Sequence, residues 1–192
     1  MTKTISEDTG KLYWHYPRLA AVVTARGKGK DNAMTAAWHI PLSFSPALYG
    51  VSVSPKRFTY QLIVESKEFG INFLPFEAAE LLASVGGCSG QEVDKFQRFN
   101  IVREKSEKMD VPLLADDYAA YECRLVDDRE YGDHRLLVGE IAAVHLTKEA
   151  FTPEGVLDLA RVNPALYLGN ELYLTALKDS VISLEREVYG KR

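Results

Sequence analysis

Hydroxyls and cations crowd one short stretch of this 192-residue chain: Ser52, Ser54, Lys56, Arg57 and Thr59. An apolar strand pattern from Leu48 to Val53 ends there, Pro55 breaks it, and a helical pattern from Phe58 to Ser66 begins. Unpaired backbone N–H groups at a helix start, two cations and several hydroxyls together make a cradle for a phosphate. The same residues also read as a solvated turn, with Ser54 capping the helix and Pro55 in its first position. On these residues alone the two readings stand even.

A second stretch, Asn32-Ala33-Met34-Thr35-Ala36-Ala37-Trp38, is small and polar for a strand. Small side chains let a flat ring system lie against the backbone, whose N–H and C=O groups then read its edge. An ordinary strand at a sheet edge has the same composition.

Other candidates carry plainer explanations. Gly27 and Gly29 lack the third glycine of a dinucleotide fingerprint and the Gly-Lys-Ser/Thr ending of a nucleotide loop, so they read as a hairpin turn. Gly87-Cys88-Ser89-Gly90 does not have the spacing of a hydrolase nucleophile elbow. Ser89 stands three residues before Glu92, the spacing of a capping box, and the helix it would start puts Val93, Phe96 and Phe99 on one face. Cys88 then reads either as a thiol activated by a helix N-terminus or as a small apolar side chain. The histidines, His15, His39, His134 and His145, show no metal-ligand spacing, and no metal is expected. His145 suits an ordinary half-buried place on a strand. His134 follows Gly132-Asp133, where a tight turn projects a side chain from a rigid corner.

The elements that must position these groups are mostly strands. Leu19 to Ala25 reads as a buried strand, and Asn32 to Trp38 as its hairpin partner. Phe69 to Phe73 is another strand, and Glu77 to Ser84 is helical. Tyr121, Cys123 and Leu125 alternate with Glu122 and Arg124, the mark of a half-buried antiparallel strand, and Gly132-Asp133 turns it into a long partner from His134 to Leu146. Strands joined by short turns, with helices inserted, indicate a mainly β fold of the barrel type.

Composition sets the outer bounds. Apolar residues make up 46% and charged residues 26%, as in a globular chain folding as a single domain over 1–192, with residues 1–12 as a flexible arm. A formal net charge of −4 argues against a nucleic-acid surface. No apolar run reaches the length of a membrane span, and no signal segment opens the chain. Cys88 and Cys123 alone make no disulfide framework, which indicates a reducing, cytoplasmic location.

Taken together, these segments resemble the flavin reductase-like family, whose fold is an FMN-binding split β-barrel. Pro17 to Thr24 is similar to its opening strand, and Asn32-Ala33-Met34-Thr35-Ala36 to its Asn-x-Met-Thr-Ala/Val. Ser45-Pro46, the Ser52-Val53-Ser54 strand leading to Arg57-Phe58-Thr59, Phe69-Gly70-Ile71-Asn72, and Ser89-Gly90 with Asp94-Lys95-Phe96 follow in order. Gly132-Asp133-His134-Arg135-Leu136-Leu137-Val138-Gly139-Glu140 is the longest matching string, and Pro164 to Gly169 resembles the closing motif. The match runs from about residue 15 to about residue 175. Trp38 resembles the archaeal branch of flavoredoxins and ferric reductases, and Gly169-Asn170 stands where the family carries Gly-Gly.

The resemblance implies that Asn32, Ala33, Met34, Thr35 and Ala36 line the isoalloxazine of FMN. It implies that Arg57 and Thr59, helped by Lys56, Ser52 and Ser54, hold the phosphate, while Ser89, Lys95 and Phe96 close the pocket. His134 would be the catalytic-site residue beside the flavin face that admits nicotinamide. The implied activity is NAD(P)H-dependent reduction of flavin or ferric iron, with NADH or NADPH as donor. The alternative is a flavoredoxin-like carrier fed by a redox protein partner. A homodimer is implied in either case.

Overall fold

The computed structural model describes residues 1–190. Strand β1 (Arg18–Leu19) leads into a hairpin of β2 (Ala21–Gly27) and β3 (Lys30–Ala36), turned by Lys28 and Gly29 at φ 52° and 70°. Two consecutive positive φ values are the signature of a type I′ hairpin turn. A second hairpin joins β4 (His39–Phe44) to β5 (Ala47–Val53), and α1 (Phe58–Ser66) carries the chain to β6 (Glu68–Phe73). Next come α2 (Ala79–Gly86), α3 (Lys95–Arg98) and the short pair β7 (Arg103–Glu104) and β8 (Leu113–Leu114). A long hairpin comes after them, β9 (Ala119–Tyr131) and β10 (His134–Leu146), with Gly132 alone at positive φ in its turn. The last described elements are β11 (Leu166–Gly169), β12 (Leu172–Leu174) and α4 (Arg186–Tyr189).

Seven antiparallel strands form the main sheet in the order β3-β2-β6-β9-β10-β5-β4. Strands β3 and β4 are its two edges, yet only Ala37 and Trp38 separate them in the chain. Two residues span only about 7 Å, so the sheet has to curl until its edges meet. The backbone N–H of Ser52 donates to the Trp38 carbonyl at 2.8 Å, one step beyond the His39–Val51 pair, so the β4–β5 ladder reaches Trp38. The barrel is therefore closed at the Trp38 end and open along the rest of β3.

Strand β2 is buried on both faces, which is why its pattern is continuous rather than alternating. Ala21, Val23 and Ala25 point into the barrel with Phe69, Ile71, Val51 and Leu62 of α1. Ala20 and Val22 point the other way, toward Leu82, Val85, Phe96 and Leu114 under α2 and α3. A smaller sheet, β1-β11-β12, closes the molecule near α2 and β3.

The structure corrects several local readings. The strand expected from Asn32 to Trp38 is Lys30–Ala36, and a bend at Ala37 starts the crossing to β4. Ser54 and Pro55 do not cap α1: its N-cap is Arg57, with no side-chain cap, because Ser54 and Pro55 lie in a preceding turn in which Arg57 N–H donates to the Ser54 carbonyl at 3.0 Å. Ser89 does not cap α3 either. Its hydroxyl accepts the N–H of Gln91 at 3.2 Å within a loop, while Asp94 caps the helix by accepting Gln97 N–H at 3.0 Å. Cys88 follows the carbonyl end of α2, so no helix N-terminus lies behind its thiol, and it is half-buried with its Sγ 3.5 Å from the Ser84 carbonyl.

Candidate functional site

Three contiguous clefts run along the open edge of β3. The first, about 420 Å³, is lined by Asn32, Met34, Thr35, Lys56, Arg57, Thr59, Ser89, Gly90 and Lys95. The second, about 160 Å³, holds Met34, Thr35, Ala36, Trp38, Ser52, Ser54, Arg57 and His134. The third, about 470 Å³, has a floor of Ala20, Thr35, Ala37, Gly86 and Gly87 and a wall of Tyr167 and Tyr173, with Glu171 at its rim. Thr35 lines all three, so β3 is the axis of one groove.

At one end the groove gathers Lys56, Arg57 and the start of α1. Helix α1 begins without a side-chain cap, and its N-terminus carries the positive end of the helix dipole. Among the described residues neither Lys56 nor Arg57 is in an ion pair; both line the cleft, and Glu92 lines it with them. Thr59 Oγ1 accepts a hydrogen bond from Asn32 Nδ2 at 2.8 Å, which leaves its own proton for another acceptor.

The middle of the groove offers backbone. The Ala33 carbonyl points out of the sheet edge, where it accepts Lys95 Nζ at 2.8 Å. By the alternation of an antiparallel strand, the N–H and C=O of Thr35 face the same open side. The Thr35 hydroxyl donates to the Leu82 carbonyl, which fastens α2 beneath the groove. A Cβ on Gly86 would stand 3.4 Å from Thr35 Cβ and narrow the passage between two of the clefts.

His134 projects from the β9–β10 turn into the second cleft, which Arg57 also lines. Its Nδ1 lies 2.8 Å from Asp133 Oδ1, and its ring is 5.0 Å from that of Trp38 at an interplanar angle of 44°. The turn therefore does aim this side chain at the groove.

Of the residues singled out in the sequence, Asn32, Met34, Thr35, Ala36, Ser52, Ser54, Lys56, Arg57, Thr59, Ser89, Lys95 and His134 come together in these clefts. Ala33 and Phe96 do not line them. The Ala33 side chain and the Phe96 ring are packed in the core under α2 and α3, with the Arg103 guanidinium 4.3 Å from the ring centroid. Lys95 lies in the cleft wall, but its ammonium also donates to the Val85 carbonyl at 2.6 Å. Burial pulls its pKa down, against an opposing effect of Cys88 and together with that of Arg57. Its task is to hold α3 against β3 and α2.

Sequence reasoning did not find Gly86, Tyr167 and Tyr173 as lining groups. Tyr167 and Tyr173 reach the groove only through β11 and β12, whose pairing with β1 joins distant parts of the chain. No local spacing announces it. His39 is structural: Nδ1 meets Tyr49 Oη at 2.7 Å, Nε2 meets the Leu19 carbonyl at 2.9 Å, and burial lowers its pKa. No group of potential metal ligands is assembled among the described residues. Nor is any described helix long and apolar enough to cross a membrane.

The flavin reductase like domain matches residues 13–173, nearly the whole region that builds the groove. The chain belongs to this family. A crystal structure of an FMN-binding protein from Thermus thermophilus, with bound 1-cyclohex-2-enone, is 33% identical and superposes with a TM-score of 0.85 over 95% of this chain and 100% of that one. The flavoredoxin of Methanosarcina acetivorans is 25% identical, with a TM-score of 0.82 over 96% of this chain and 97% of that one. A ferric-chelate reductase (NAD(P)H) from Archaeoglobus fulgidus is 26% identical over 130 residues, 67% of this chain and 76% of that protein. The expected mainly β, split-barrel fold with inserted helices is the one observed, and the resemblance to flavoredoxins and ferric reductases holds.

Proposed function

We propose that this flavin reductase-family protein binds FMN in the β3 groove and works as an oxidoreductase, taking electrons from NADH or NADPH and passing them to flavin or ferric iron. The observation that carries this reading is the uncapped start of α1, with Lys56, Arg57 and the Thr59 hydroxyl around it, at one end of a groove whose other reaches are flat-floored and aromatic. A terminal phosphate fits the first, and a tricyclic ring beside exposed backbone fits the second. The names of the Thermus and Archaeoglobus relatives agree with that chemistry.

When bound, the flavin supplies the redox chemistry, since it can exchange electrons in pairs or singly. This chain's residues would do the rest. Arg57, Lys56 and Thr59 bind the phosphate and so set the position of everything attached to it. Outward N–H and C=O groups around Thr35 orient the ring edge, and the N–H group is placed to stabilise negative charge there. His134, held by Asp133 and packed beside Trp38, orients the incoming donor or acceptor at the open end. Proximity and alignment of this kind supply several kcal/mol of a barrier.

A homodimer working in the cytoplasm completes the reading. Exposed Ile40, Leu42 and Phe44 on edge strand β4 form an apolar strip suited to a second copy.

The test is an anaerobic titration of FMN-loaded protein with NADH and, separately, NADPH, following visible flavin absorbance. Rapid stoichiometric bleaching by either is the expected result. Bound flavin that stays oxidised with both would replace the reading by a second one, which the likeness to a flavoredoxin favours: an FMN electron carrier reduced by a protein partner. Failure to retain FMN would remove both.

A further inference from the structure

A buried pair, Asn32 and Thr59, lies at the anion end of the groove, and the role assigned to it here rests on FMN being the ligand of that groove. Asn32 is 2% exposed and Thr59 is 1% exposed, yet both line the cleft. Asn32 Nδ2 donates to Thr59 Oγ1 at 2.8 Å. A hydroxyl that accepts on its oxygen keeps its own proton for a second partner. Among the described residues no acceptor takes that proton. Thr59 is the second residue of α1, next to the uncapped N–H groups and on the same side as Arg57.

The other half of the Asn32 amide faces Gly90. Oδ1 is buried without a hydrogen-bond partner. It packs against Gly90, where a Cβ would collide with it, so the backbone of the Ser89–Gly90 loop is pressed onto the amide. Turning the amide over would satisfy Oδ1 with the Thr59 proton. The hydroxyl would then be spent inside the protein and lost to the cleft.

We infer that Asn32 is a positioning residue for the phosphate site: it fixes the Thr59 hydroxyl as a hydrogen-bond donor aimed at the phosphate of FMN. This moves Asn32 from the ring end, where the family resemblance put it, to the phosphate end. It also gives Gly90 a task, since only a residue without a side chain leaves room for the amide.

Riboflavin, which is FMN without its phosphate, separates this role from a structural one. Binding of FMN and of riboflavin is measured by fluorescence for wild type, Asn32→Ala, Asn32→Asp, Thr59→Val, Thr59→Ser and the double variant Asn32→Ala with Thr59→Val, each verified as folded by circular dichroism. Asn32→Ser replaces the alanine variant if that one does not fold. Asn32→Ala is expected to weaken FMN binding about tenfold, the size of one ordinary hydrogen bond, and to leave riboflavin within about twofold. Asn32→Asp is expected to lose more, because its carboxylate takes the Thr59 proton and repels the phosphate. Thr59→Ser keeps the affinity, and in the Thr59→Val background Asn32→Ala adds nothing further.

Equal losses for FMN and riboflavin in the Asn32 variants, no loss for FMN, or additive losses in the double variant would overturn the inference while leaving FMN binding by the wild type intact. Wild-type protein that binds neither flavin would overturn the FMN reading and this one with it.

Discussion

The indole N–H of Trp38 donates to the hydroxyl of Tyr16 at 2.8 Å. This bond ties the junction between the two barrel edges to the aromatic wall of the groove. Tyr16 packs edge-on to Tyr167 with ring centroids 6.0 Å apart, and Tyr167 lies 5.1 Å from Tyr173. Trp38 in turn lies beside His134, so one line of aromatic rings runs from the cleft that His134 shares with Arg57 to the tyrosine wall.

His134→Ala removes the ring beside Trp38 and leaves Lys56, Arg57 and Thr59 in place. Flavin reduction by the nicotinamide donor is expected to slow about tenfold, as for the loss of one orienting contact of ordinary strength, while the FMN dissociation constant stays within about twofold. Stopped-flow reduction and an FMN titration on the same preparation check this. Intact reduction with lost binding would make His134 structural.

Arg57→Ala removes a cation that lines both the first and the second cleft. Loss of a charge-assisted hydrogen bond to the phosphate is expected to cost ~1.5–3 kcal/mol, or about 10- to 150-fold in FMN affinity. Calorimetric titration at two salt concentrations measures it, and the salt dependence should shrink with the charge removed. An unchanged dissociation constant would take Arg57 out of the site.

Glu122 governs stability far from the groove. Its carboxylate is fully buried and accepts the N–H groups of Glu107 and Lys108 at 2.7 Å and of Met109 at 2.6 Å, with His145 Nε2 at 2.6 Å. Burial alone would raise its pKa, but the Glu107 N–H, His145 and the other two N–H groups outweigh it and hold the value below the ordinary 4.5. A carboxylate depressed in the folded state contributes stability that is complete above its unfolded pKa and is lost as pH falls through the folded one. Glu122→Gln is expected to cost ~2–3 kcal/mol at pH 7 and nothing once the wild-type carboxyl is protonated. Urea denaturation at pH 7 and through a series of acid pH values checks both arms, the difference between the two proteins closing as the folded carboxyl takes up its proton.

Asp117 has the opposite sign. Burial, with Glu104 and Asp116 nearby, pushes its carboxyl up to about 7, and its Oδ2 is buried without a partner. The folded state then holds a proton that the unfolded chain releases near 3.8. Stability is undiminished below that value, falls as pH rises between the two pKa values, and stays reduced above the folded one. Asp117→Asn removes the titration, and it is expected to stabilise the protein by ~1–3 kcal/mol at pH 8 and to change little at pH 4. Equal effects at both pH values would contradict this.

How much of this was legible in the chain depends on the range of the forces involved. Helix α1 and strand β10 coincide with their sequence readings, Phe58–Ser66 and His134–Leu146, because a turn or a proline punctuates each beginning and apolar period fills each interior. The cluster of Ser54, Arg57 and Thr59 stood out for the same local reason, as a phosphate cradle or a solvated turn in equal measure. Strand β4 was not visible: as an edge it points Ile40, Leu42 and Phe44 outward, and Pro41 interrupts its pattern. Ser89 misled because its spacing to Glu92 imitates a capping box, while Asp94, closer to the buried Phe96, wins the helix start. The Asn32–Thr59 bond joins groups 27 residues apart and required the fold to be seen.

The pairing of β1 with β11 has a consequence for the order of events during synthesis. Arg18 sits opposite Tyr167, so one of the first strands to leave the ribosome waits for one of the last. The cradle at α1 can form as soon as β2, β3 and β6 have met. The tyrosine wall cannot exist before the final quarter of the chain has emerged. A nascent protein would thus carry the Lys56–Arg57–Thr59 cluster with no tyrosine wall beside it, and the complete groove becomes a property of the finished molecule.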